Sequence, residues 1–170
     1  MTSRQHAAFS LVELTLALGV ASVCLLSIVG LLPVAQDSHR TASEQTVGND
    51  LASEVISDLR ATQKTNPGTA QSSPRYSLTI GAAGAAVSTQ TLFFREGAEV
   101  IGPPDTAAAS ASPAPRYRAT IFLSAPPSGS RAATTGRVLI TWPALADPVP
   151  ANTPSKYSGS FEAFIGLDRN

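Results

Sequence analysis

Residues Phe9 to Leu32 have the sequence FSLVELTLALGVASVCLLSIVGLL, in which Glu13 is the one charged residue. This stretch, which we name the apolar segment, is longer than the roughly 20 apolar residues with which a helix crosses the hydrocarbon of a bilayer. A short polar leader, Met1 to Ala8, precedes it and contains Arg4. The pattern predicts a membrane-spanning helix close to the N-terminus.

Glu13 is the unusual residue of the apolar segment. A carboxylate at the centre of a bilayer costs about 3 kcal/mol on insertion scales. An acidic residue within a membrane helix therefore indicates a function, and that function requires a partner for the charge.

The residues around this glutamate, Ala8-Phe9-Ser10-Leu11-Val12-Glu13, resemble the processing site of type IV prepilins and type II secretion pseudopilins. In that family, a membrane-embedded aspartyl peptidase cuts just before the phenylalanine and N-methylates the new terminus. The resemblance implies cleavage between Ala8 and Phe9, methylation of Phe9, and an assembly role for Glu13, with prepilin peptidase and other pilin-like subunits as partners. The family usually has glycine before the cut, where this chain has Ala8.

Cleavage after Ala8 would leave an α-amine on Phe9, and such an amine titrates near pH 8. In a stack of parallel, axially shifted helices, Glu13 of one subunit can approach the Phe9 amine of another. The pair compensates two charges that hydrocarbon would otherwise penalise. We therefore expect it to set the register between subunits more than to add net stability.

Two other interpretations of the apolar segment are an ordinary signal anchor and a cleaved secretory signal. A secretory signal has an apolar core of roughly 7–15 residues followed by an A-x-A-like site. The segment is longer, and Pro33 stands where the small residue of such a site belongs. Arg4 predicts a cytoplasmic N-terminus with the rest of the chain exported. The resemblance to prepilins implies a helix in the bacterial inner membrane and a periplasmic C-terminal head, and it leaves assembly into an extracytoplasmic filament open.

Residues 33–64 form a predicted amphipathic stem helix, with Gly30 and Pro33 as a kink or weak point before it. Within the stem, an apolar stripe at spacings of three and four predicts packing against the chain's own head, and a stripe of acids predicts a solvated face. The apolar stripe comprises Val47, Leu51, Val55, Ile56 and Leu59, and the acidic stripe comprises Asp50, Glu54 and Asp58. Asn66-Pro67-Gly68 predicts the end of the helix.

Residues 65–170 form a predicted β-rich head with long Pro/Ala/Ser loops. Five segments rich in alternating or β-forming residues predict strands. One helix followed by several strands predicts an α+β, pilin-like fold with a small antiparallel sheet. The predicted strands are Arg75–Ile80, Gln90–Phe94, Arg116–Leu123, Arg137–Trp142 and Gly159–Leu167.

Few residues of the predicted head suit catalysis or metal binding. The two histidines, His6 and His39, and the single cysteine, Cys24, lie outside it. The head therefore lacks the residues for Ser-His-Asp or Cys-His catalysis and for the usual zinc sites. Asp147 and Asp168 lack the spacing of a calcium site, and we expect them to be solvated. We expect no enzyme activity, no cofactor and no metal.

We do not expect nucleic-acid binding. Twelve Lys and Arg residues balance twelve Asp and Glu residues, so the chain has no net basic field. Arg116 and Arg118 share one face of a predicted strand, where only Tyr117 separates them and faces the other way. Two arginines without an aromatic platform predict a solvated edge.

The segment Arg137–Pro143 and the tail GSFEAFIGLDR are also similar to a bacterial prepilin-type group, Verru_Chthon cassette protein B. Three hypotheses for the chain follow. It is a structural subunit of a type IV pilus or type II secretion-type pseudopilus, a minor pilin that presents its loops to DNA or a surface, or an unprocessed membrane-anchored periplasmic binding or adhesion domain.

The resemblance around Phe9 predicts that the intact mass of the membrane-extracted protein lacks Met1–Ala8 and includes one added methyl group. Ala8→Leu should slow cleavage, because a larger side chain crowds the peptidase site. An unprocessed N-terminus in cells with an active prepilin peptidase would contradict this prediction.

Overall fold

The computed structural model describes residues 10–62, 69–105, 113–129, 132–146 and 157–168. One long helix, α1 (Leu11–Arg60), is followed by a two-stranded and a four-stranded antiparallel sheet. This arrangement confirms the predicted α+β class. The chain divides into two compact units, Met1–Ala42 and Ser43–Asn170, which we name the N-terminal and C-terminal units. The second half of α1 therefore folds with the sheets.

Six strands form the two sheets, and four of the five predicted strands are confirmed nearly in full. The small sheet pairs β1 with β2, and the large sheet has the order β3-β4-β5-β6, so each strand pairs antiparallel with the next along the chain. A short 3₁₀ turn, Ala144–Ala146, follows β5. The strands are β1 (Gln71–Ser72), β2 (Thr79–Ile80), β3 (Ser88–Phe94), β4 (Tyr117–Ser124), β5 (Thr134–Trp142) and β6 (Gly159–Leu167).

The helix is continuous through Gly30 and Pro33, the predicted kink or weak point, although proline lacks the N–H that would bond the carbonyl one turn earlier. It ends at Arg60 rather than near Gln63, with Ala61 N–H still donating to the Ser57 carbonyl at 2.9 Å. The predicted stop at 66–68 lies outside the described residues.

The predicted apolar stripe of α1 packs on the chain's own sheet. Leu51, Val55 and Leu59 are each no more than 1% exposed, and Val47 and Ile56 pack at the border of the same cluster. Burying a leucine or valine side chain contributes roughly 1.5–3 kcal/mol. The stripe therefore closes the core. Its sheet-side partners are Leu92, Phe94, Ala119, Ile121, Val138, Ile140 and Ile165.

Trp142 lies between Gly48 of α1 and Gly159 of β6. A Cβ built on Gly48 of the helix would stand 3.0 Å from the indole, and a Cβ on Gly159 of β6 would clash with it. Tyr117 contacts the same ring edge-on, at 6.1 Å between centroids. Two glycines thus make the space that the indole fills.

Asp58 was predicted to lie on a solvated face, and this prediction is wrong. Asp58 is 6% exposed. Its carboxylate accepts hydrogen bonds from the Ser73 hydroxyl at 2.5 Å, the Arg75 N–H at 2.8 Å and the Tyr76 N–H at 3.1 Å. Three donors replace the water that burial removes from the carboxylate.

This carboxylate also explains why the predicted strand Arg75–Ile80 is shortened to Thr79–Ile80. The N–H groups of Arg75 and Tyr76 bond Asp58 and so turn the chain. Glu54, one helical turn earlier, forms an ion pair with Arg75. Burial, with the Glu54 carboxylate nearby, raises the pKa of Tyr76 to about 12, so this core phenol stays neutral at physiological pH.

The predicted solvated edge at Arg116 and Arg118 is also wrong. β4 is an inner strand of the sheet, and Arg118 is 5% exposed. Arg116 forms an ion pair with Glu44 of α1. Glu44 is distant in sequence, so strand alternation alone could not reveal the pair.

The C-terminal unit has its own core, so we expect a fragment comprising residues 36–170 to be a soluble, folded monomer. Circular dichroism should show mixed helix and strand with a cooperative melt. Leu51→Ala in this fragment should reduce the free energy of unfolding by roughly 2–5 kcal/mol, because it leaves a cavity under α1. An insoluble or disordered fragment would show that the stripe needs a second subunit.

Asp58→Ala in the same fragment should lower the free energy of unfolding by about 3 kcal/mol, since one hydroxyl and two backbone N–H groups lose a charged acceptor. Asp50→Ala, on the exposed side of the same helix, is the matched control and should change it by no more than about 0.5 kcal/mol. Equal denaturant midpoints for both variants would contradict the role of Asp58.

Candidate assembly site

The start of α1 places Glu13 in the first turn of the helix. Ser10 lies just before the helix. Its Oγ accepts the Glu13 N–H at 3.2 Å, and its carbonyl accepts the N–H groups of Glu13 and Leu14, both at 3.1 Å. Ser10 is therefore the N-cap residue of α1. The predicted processing residues Ala8 and Phe9 lie outside the described residues.

The role of Ser10 was missed from the sequence, although a signal was present. A serine followed three residues later by glutamate, ahead of an apolar run, is the pattern of a capping box. Ser10 and Glu13 have this spacing.

Apolar side chains surround the helix after Glu13 on all sides and remain exposed. Leu16 is 68% exposed, Leu26 76% and Leu18 60%. No part of the most apolar 18-residue window is buried. By length and composition, α1 is able to cross a membrane. A helix that is apolar all round is suited to hydrocarbon or to other helices, and not to water.

The hydroxyl groups of this exposed surface bond within the helix itself. Thr15 donates to the Val12 carbonyl at 2.9 Å, and Ser22 donates to the Leu18 carbonyl at 2.7 Å. Ser27 donates to the Val23 carbonyl at 2.9 Å in the same way. An unpaired hydroxyl in hydrocarbon costs several kcal/mol, and these three avoid that cost.

The Glu13 carboxylate is different. Across residues 10–62 and the other described ranges, no ion pair or side-chain hydrogen bond reaches its oxygens. Its backbone is capped, and its charge is not compensated within the described part of the chain. The arrangement presents one carboxylate at the end of an apolar surface.

Metal chemistry has no support among the described residues, which include no group of three or more His, Cys, Asp or Glu side chains able to hold a metal ion. Asp168 is exposed at the end of β6. Its suggested partner Asp147 lies outside the described residues. The structure therefore does not describe the two aspartates together.

Comparison with known proteins found no similarity: no family model matches the chain, and neither a curated protein nor a solved structure matches it. The function has to be inferred from the residues and geometry of the chain itself.

Proposed function

We propose that this chain is a prepilin-like structural subunit, a minor pilin or pseudopilin without enzyme activity. Prepilin peptidase cleaves it between Ala8 and Phe9 and methylates Phe9, and its N-terminal helix then assembles into a type IV pilus or type II secretion-type pseudopilus. The observation that supports this proposal is an exposed apolar helix whose first turn holds one carboxylate, Glu13, that no described residue compensates.

Before assembly, the proposed location is the bacterial inner membrane, with the N-terminus in the cytoplasm and the C-terminal unit in the periplasm. The exposed apolar side chains of α1 support a membrane location, since hydrocarbon replaces water around them. The internal bonds of Thr15, Ser22 and Ser27 support it too. Arg4 favours the cytoplasmic side for the leader.

In the proposed assembly, the apolar side chains exposed in the single chain pack against neighbouring pilin-like subunits. Packing alone does not fix how far one helix is shifted along the next, because leucine and valine contacts are similar at many registers. The Phe9 amine of one subunit and the Glu13 carboxylate of another supply a charge pair that forms only at the correct shift. At other registers, the amine and the carboxylate would both lie unpaired in hydrocarbon.

The second candidate function is an unassembled membrane-anchored periplasmic binding or adhesion domain. The burial of Leu51, Val55 and Leu59 within one chain favours it, because the C-terminal unit closes its core without a neighbour. The same feature is compatible with a pilin-like subunit whose helix alone mediates assembly. The two functions therefore differ in whether Glu13 has a partner in another chain.

Glu13→Leu should leave the protein in the inner membrane, because it removes the charge that opposes insertion. It should nevertheless reduce chemical cross-linking to the major pilin-like subunit of the same cell by about tenfold, which corresponds to a pair worth about 1.4 kcal/mol. Glu13→Gln keeps the shape without the charge and should lose cross-linking as well. Glu13→Asp keeps the charge on a shorter side chain and should restore part of it.

The matched control is Asp50→Leu, which removes an exposed acidic side chain of the same helix outside the apolar segment and should leave cross-linking unchanged. All variants are compared at equal abundance in the membrane, with processing verified by intact mass. Parent-level cross-linking of both Glu13→Leu and Glu13→Gln would exclude a register role for the carboxylate and favour the anchored domain.

A further inference from the structure

We propose that Ser10 is a positioning residue for Glu13: by capping α1, it holds the carboxylate in the first turn and keeps it available to a neighbouring subunit. This inference rests on the proposed function, since it concerns the partner of the same charge. It adds Ser10 to the charge pair of Phe9 and Glu13 and assigns to it the positioning of the carboxylate.

Ser10 fixes the start of the helix through three hydrogen bonds. Its Oγ accepts the Glu13 N–H at 3.2 Å, and its carbonyl accepts the N–H groups of Glu13 and Leu14 at 3.1 Å. An N-cap residue has non-helical backbone angles, so the helix starts after it. Leu11 is accordingly the first helical residue and Glu13 the third.

The position of this start affects which amine can reach Glu13. On a helix, residues four apart lie on the same face and interact. Phe9 and Glu13 are four apart, so a helix extended backward past Ser10 would bring the chain's own amine beside its own carboxylate. Starting α1 at Leu11 removes the helical geometry that would favour this internal pair. The carboxylate then stays available for an amine from another chain.

The cap also places the Glu13 carboxylate where the N-terminus of the helix stabilises its charge in the unassembled subunit. The N-terminus of a helix has a partial positive charge, and acidic side chains in the first turn are stabilised by it. With Leu11 as the first residue, Glu13 lies inside this favourable turn. A frayed start would move the charge away from the helix end.

The test uses the processed, full-length chain with Ser10→Ala and Ser10→Thr. Alanine has no acceptor for the Glu13 N–H, whereas threonine retains the hydroxyl. In detergent micelles, Ser10→Ala should speed hydrogen exchange of the Glu13 amide by about fivefold, as expected for a lost N-cap, and Ser10→Thr should restore protection. Cross-linking to the major pilin-like subunit should fall with Ser10→Ala and recover with Ser10→Thr.

Ser22→Ala is the matched control, because it removes a hydroxyl that donates to the Leu18 carbonyl and caps nothing. It should leave Glu13 exchange and cross-linking at parent values. Unchanged exchange in Ser10→Ala, or parent-level cross-linking despite faster exchange, would overturn the positioning role. If Glu13→Leu also cross-links like the parent, the proposed function fails; if only Glu13→Leu loses cross-linking, the proposed function stands and the role of Ser10 fails.

Discussion

The C-terminal unit depends on one constraint: the inner face of its four-stranded sheet has to be covered, and α1 is the helix that covers it. Leu51, Val55 and Leu59 are almost fully buried against the apolar residues of the sheet. Without this cover, the side chains of Leu92, Ile121 and the other core residues of the sheet would face water. The turn that follows β1 is attached to the same helix, because Ser73, Arg75 and Tyr76 donate hydrogen bonds to the carboxylate of Asp58 on α1.

The two halves of α1 differ in how their apolar side chains are arranged and in whether these side chains are buried. From residue 43 onward, the helix has one apolar stripe, and that stripe is buried within the unit. Before residue 35, apolar side chains occur on every side and more than half of each large one is exposed. A stripe needs one partner surface, whereas an apolar helix surface needs an apolar surrounding. One continuous helix can therefore join a folded domain to a membrane or to a bundle of helices.

The hydroxyl groups in the apolar part of α1 have hydrogen-bond partners within the helix, whereas the Glu13 carboxylate has none among the described residues. The hydroxyls of Thr15, Ser22 and Ser27 bond carbonyls of their own helix, so they need nothing from outside. The Glu13 backbone is capped by Ser10, but the carboxylate has no ion-pair partner within the described ranges. A charge that hydrocarbon penalises and that the described residues do not compensate supports the proposed pairing with another molecule. This asymmetry is the physical basis for proposing assembly through the N-terminal helix.

The amino-acid sequence by itself determined the elements and their buried faces. The length and composition of the apolar segment predicted the apolar helix, and local periodicity predicted the Leu51 stripe and the full span of β6 (Gly159–Leu167). The sequence also singled out Glu13, because one charge in an apolar run is visible without a structure. The tertiary structure decided which polar residues lie inside. Asp58 was predicted to be solvated, but donors at residues 73–76 bond its carboxylate, and Arg118, also predicted to be solvated, is buried on the inner strand β4. Such pairings join residues far apart in sequence, and no local pattern encodes which chain segment will come to lie beside a charge.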